Sequence, residues 1–141
     1  MSYDLVVFAP AHVPAEAKSF VAWFDAIGGS PDDFRFPDAD ACVPDLKAYF
    51  EELESYLPWV ERKPDAVCAT DYSFARYLLH CSFPSSCHAK AYDTVLALCW
   101  RLKLGLYAID EGGEVIYPEQ AWEAIQARAK ARRPWWKFWR P

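Results

Sequence analysis

The stretch Tyr3-Asp4-Leu5-Val6-Val7-Phe8 decides the fold. Leu5, Val6 and Val7 are consecutive, apolar and largely β-branched, and Pro10 follows soon after, which together mark a strand. Three apolar residues in a row leave the segment no polar face. A strand of that kind needs cover on both sides and is expected at the centre of its sheet.

The rest of the chain supplies its neighbours. Pro14 and Glu16 suit a helix N-terminus. Ala17, Phe20, Val21, Phe24 and Ile27 follow at helical spacing, up to Gly28-Gly29. A second helix opens at Pro44-Asp45. Leu46, Tyr49, Phe50, Leu53 and Leu57 form its apolar stripe, with Glu51, Glu52 and Glu54 toward water and Pro58 at its end. Tyr72 to Phe83 reads as strand, although Ala75 to His80 would also suit a helix. Ser85-Ser86 is expected to cap a third helix with the stripe Tyr92, Val95, Leu96, Cys99 and Leu102, closed by Gly105. Asp110-Glu111-Gly112-Gly113, between Leu106–Ile109 and Glu114–Tyr117, signals a hairpin. Pro118-Glu119 opens a fourth helix carrying Trp122, Ile125 and Ala129 on one face.

The order β-α-α-β-α-β-β-α predicts one α/β (α+β) domain over residues 1–131. Its small mixed sheet has about four strands, with helices packed on one side. Residues 132–141 are read as a basic, Trp-rich tail whose deletion leaves the fold intact. A chain of 141 residues that is 53% hydrophobic can bury a sizeable core, and 17% aromatic content suits both cores and interface anchors.

Charge is unevenly spread. Residues 1–127 hold 20 acidic against 9 basic side chains, leaving them at −11, while residues 128–141 carry +6. An acidic body repels nucleic acid and attracts basic partners. The start lacks a basic region and a long apolar run, and no stretch reaches the roughly 20 apolar residues of a membrane span. The expected location is the cytoplasm, without stable membrane insertion. Five cysteines, an odd number without an export signal, are expected as five reduced thiols.

Three groups of residues could carry chemistry. His80, Cys81, Cys87 and His88 have metal-ligand types but the wrong spacing for zinc, and neighbours on a strand point to opposite faces. No metal and no cofactor are expected. Asp71, His80 and Cys81, or the nearby Cys87, His88 and Asp93, could be assembled into a nucleophile, a base and an orienting acid of a small hydrolase. Nucleophile elbows and phosphate loops are absent from the sequence. Thr70-Asp71-Tyr72-Ser73 either presents Asp71 and Tyr72 to a ligand or forms a turn satisfying its own amides.

The segment from Asp25 to Asp71 holds 12 acidic and 4 basic residues among Phe34, Phe36, Tyr49, Tyr56 and Trp59. Such a run is either a solvated face or a contact face in which charge steers and aromatics anchor. The contact residues read from it are Asp32, Asp33, Phe34, Phe36, Asp38, Asp40, Glu52, Trp59, Asp71 and Tyr72. The tail, Arg132-Arg133-Pro134-Trp135-Trp136-Lys137-Phe138-Trp139-Arg140, has the composition to touch an anionic membrane or nucleic acid as an adaptor would. Its plainer readings are a frayed end or Trp residues docked on the acidic body.

Met1-Ser2-Tyr3-Asp4-Leu5-Val6-Val7-Phe8, the helix with Trp23-Phe24, Thr70-Asp71-Tyr72-Ser73 and the hairpin from Leu106 to Pro118 together resemble immunity proteins of polymorphic toxin and type VI secretion systems. The resemblance covers roughly residues 1–118. It implies neutralisation of a toxin by direct binding, with a basic toxin domain as partner and no catalytic residue.

Overall fold

The structure, a computed structural model, describes residues 2–28 and 36–132. Strand β1 (Ser2–Phe8) lies at the centre of a five-stranded sheet. It pairs with β3 (Leu78–Pro84) on one side and β4 (Gly105–Ala108) on the other. The edges are β2 (Asp71–Phe74), beside β3, and β5 (Glu114–Ile116), beside β4. All four pairings are antiparallel, so the α+β class holds, with five antiparallel strands in place of a mixed sheet of four.

The extra strand comes from dividing the expected strand over Tyr72 to Phe83. Residues 75–77 turn the chain back, and the Ala75 N–H donates to the Leu78 carbonyl at 3.0 Å. Neither Gly nor Pro marks this turn. Neighbouring segments hold it: Val43 N–H donates to the Arg76 carbonyl at 2.9 Å, and Ala9 N–H to that of Tyr77 at 3.0 Å.

Helices cover both faces, where one side was expected. Leu5 and Val7 point into a large core beneath α2 (Pro44–Tyr56), α3 (His88–Leu102) and α4 (Ala121–Arg132). Val6 and Phe8 point the other way, against Phe20 of α1 (Ala17–Trp23) and Phe24 just beyond it. Alternation along one strand splits its side chains between faces, so a strand apolar at every position requires two cores. Each buried Leu, Val or Phe contributes about 1.5–3 kcal/mol by leaving water. Tyr49 ties α2 to α3 by donating its hydroxyl to the Val95 carbonyl at 2.8 Å.

Gly105 does not close α3. That helix ends at Lys103, which takes the left-handed conformation with φ 59°. Gly105 instead opens β4 opposite Phe8. A Cβ there would lie 2.1 Å from the ring of fully buried Phe8, so only glycine lets the ring cross the strand. Gly112 and Gly113, at φ 77° and 73°, supply the expected turn between β4 and β5.

The expectation of five free thiols is overturned. Cys68 and Cys87 form a disulfide with Cα atoms 6.1 Å apart, while Cys42, Cys81 and Cys99 are free and buried. The β2–β3 hairpin returns the chain to its own starting loop, bringing together two cysteines 19 residues apart in sequence.

This packing has three measurable consequences. Thiol titration of denatured, unreduced protein should find three thiols rather than five, and replacing Cys68 and Cys87 by Ser should lower stability by about 3 kcal/mol, the loop-closure value for this separation. Gly105→Ala should lower unfolding stability in urea by about 1–3 kcal/mol through overpacking against Phe8. Wild-type stability in that variant would contradict the Phe8 packing.

Candidate functional site

Alternation along the strands also creates a polar surface, half-buried except at Asp71. On the face that carries α1, the half of the sheet beyond Val6 and Phe8 displays Asp4 from β1, His80 and Ser82 from β3, and Asp71 and Ser73 from β2. The register puts Ser82 between Asp4 and Asp71. His80, between Val6 and Ser73, is one diagonal step from both carboxylates, a spacing that side chains bridge. The β4–β5 turn adds Asp110, whose carboxylate accepts the Asp4 backbone N–H at 2.7 Å. Ser2 donates its hydroxyl to Asp4 at 3.2 Å.

His80 Nε2 lies 3.3 Å from Asp4 Oδ1. Burial holds the imidazole below the usual histidine pKa, outweighing the upward pull of Asp4, Asp71 and Asp110. At neutral pH the contact is therefore a hydrogen bond from a neutral ring to a carboxylate. The surface keeps the negative charge of its carboxylates, a setting that recruits Lys or Arg.

The acidic residues read from the sequence are placed differently. Asp38 caps a short 3₁₀ turn by accepting the Asp40 N–H at 2.9 Å. Asp40 pairs with Lys47 at 2.9 Å, Glu54 with Arg62 at 2.6 Å, and Glu52 with Arg101. Much of the charge beside α2 is thus met by cations of the chain itself. Among the described residues no Lys or Arg forms such a pair with Asp4, Asp71 or Asp110.

The aromatic anchors need correction. Trp59 is 6% exposed, edge-on to Phe50 and Phe74, with the Arg62 guanidinium 5.2 Å from its ring centre. Tyr72 is 4% exposed and donates its hydroxyl to the Leu57 carbonyl at 2.6 Å. Both belong to the core and neither can anchor a partner. Phe36 is half-buried, bridged to Phe74 at the sheet edge. Asp32, Asp33 and Phe34 lie outside the described residues.

The hydrolase grouping is not assembled. Asp71 and His80 share the polar face, but Cys81 points into the opposite core, fully buried, with burial pushing its thiol well above the ordinary value. Cys87 is bonded to Cys68. Among the described residues, no three His, Cys, Asp or Glu side chains converge on a position that could hold a metal ion. Asp4 and Asp110 were missing from the contact residues read in the sequence. Asp4 did leave a signal, as the only charged residue in its strand.

Acid should act through His80. The unfolded chain takes up the histidine proton near pH 6.5, and the folded chain only at lower pH. Stability supplied by the neutral ring is therefore present above about pH 6.5 and lost as pH falls toward the lowered folded value. Thermal melts should show wild type losing more stability than His80→Gln between pH 7 and 5. Equal losses would contradict a proton-resisting His80.

No family model, curated protein or solved structure matches this chain, so its function is read from this geometry.

Proposed function

We propose that this protein is a protein-binding module that captures a basic partner, acting as an immunity protein that blocks a toxin by direct contact. One observation carries the reading: Asp4, Asp71 and Asp110 gather around His80 on a helix-free half-sheet without Lys or Arg partners among the described residues. Uncompensated carboxylates on an ordered sheet steer a basic partner and accept its Lys or Arg without first breaking internal ion pairs. Asp71 stays in the contact face read from the sequence, and Asp4, His80 and Asp110 join it. Asp40 and Glu52 remain peripheral, because each already holds a cation of the chain itself, and Asp38 sits in the same turn as Asp40. No cofactor enters the proposal.

The proposed encounter is in the cytoplasm. No helix among the described residues is long and apolar enough to cross a membrane. The Cys68–Cys87 bond weighs the other way, since disulfides persist chiefly in oxidising compartments.

The test is native co-purification followed by binding kinetics with the captured protein. Asp71→Lys with Asp110→Lys should lower the association rate about tenfold or more at low salt, and the gap should shrink as salt rises. Glu119→Lys with Glu123→Lys, on the short turn before α4 and in its first turn, serves as the charge-matched control and should bind nearly as wild type. Unchanged association of the double variant at low salt would remove the half-sheet from the contact face.

A further inference from the structure

A second surface lies on the opposite side of the molecule, above α3. The middle of this helix shows water a floor of small side chains, Thr94 and Ala97, and Tyr56, Leu98, Trp100 and Arg101 complete a groove of about 360 Å³. Trp122 of α4 packs against Trp100, with ring centres 4.9 Å apart and the rings tilted by 36°. Tyr56, Trp100 and Trp122 are 52%, 45% and 47% exposed, an unusual grouping of large apolar side chains in water. A furrow with a small-residue floor and aromatic walls accepts large side chains as knobs.

The chain carries such knobs beyond Arg132, where Trp135, Trp136, Phe138 and Trp139 fall within nine residues, 133–141. The direction of α4 makes them available. Arg128 pairs with Asp93 at 3.1 Å and lies over Tyr92, while Trp122 meets Trp100, so α3 and α4 run antiparallel. The end of α4 is therefore about 15 Å along the helix from the Trp100–Trp122 pair, at 1.5 Å per residue. Nine residues span up to about 30 Å when extended, enough to return along α3 with length to spare. Pro134 disfavours helix at Arg133, which suits a reversal there.

From the length of chain beyond α4 and the shape of this furrow, we infer that residues 133–141 dock back on the same molecule, seating Trp side chains over Ala97 between Tyr56 and the Trp100–Trp122 pair. This contact is independent of the acidic half-sheet. It withdraws the tail from membranes and nucleic acid.

Photo-crosslinking of the full chain tests it. Ala97 is exposed, so Ala97→p-benzoylphenylalanine leaves the core untouched. Irradiation should link position 97 to a peptide within 134–140 of the same chain. Dimers linked through the tail would mean that a second copy fills the furrow and would overturn the proposal, as would absence of any tail peptide. A thermodynamic cycle gives the second readout. Ending the chain at Arg132 should leave the circular-dichroism spectrum folded and lower Tm by about 4–8 °C. The same truncation should leave Tm unchanged once Trp100→Ser and Trp122→Ser have removed the walls. Equal drops in both backgrounds, or no drop in either, would overturn it, as would anionic-vesicle binding by the intact chain through its tail.

Discussion

The fold depends on a strand that has nowhere to meet water. Leu5, Val6, Val7 and Phe8 are fully buried, and consecutive side chains on a strand point to opposite faces. One helical layer can satisfy only half of them. The chain therefore places α2, α3 and α4 on one face and α1 on the other, and flanks β1 with β3 and β4 so that its amides pair on both edges. Gly105 belongs to the same constraint, because the Phe8 ring turns toward α1 only where the neighbouring strand lacks a side chain.

That constraint also produces the candidate site. α1 is short and covers only the Val6–Phe8 end of its face. Where cover stops, residues at the same alternation become polar: Asp4 on β1, His80 and Ser82 on β3, Asp71 and Ser73 on β2. The site is thus the continuation of a core face beyond the reach of its helix. It sits on paired strands, which hold carboxylates in place without the ordering entropy a loop would lose on binding.

Much of this was legible in the chain. The central strand, the stripes of α2 and α3 and the Gly112-Gly113 hairpin follow from local periodicity and turn chemistry, which tertiary packing reinforced. By contrast, α4 turns Ala121, Ala124 and Ile125 inward and leaves Trp122 and Ala129 exposed, contrary to the stripe read for it. What was hidden depends on residues distant in sequence. The turn at 75–77 has no turn residues of its own and is held by Val43 and Ala9. The Cys68–Cys87 bond exists because that hairpin returns. Trp59 and Tyr72 read as exposed anchors because they sit in polar stretches, yet each packs against Phe50. The cluster of Asp4, Asp71, His80 and Asp110 draws on three strands and a turn, so no window of sequence contains it. Asp4 alone gave a local hint.

The half-sheet that no helix covers among the described residues is the face proposed to meet a basic partner. Hydrogen exchange of the free and partner-bound protein tests this most directly, because β2 is an edge strand and the 109–113 turn is exposed, so both have amides that binding can slow. Slowed exchange is expected in β2 and in the turn carrying Asp110, with α2 and the 38–41 turn unchanged. Slowing confined to α2 and residues 38–41, with β2 and the turn exchanging as in the free protein, would contradict it.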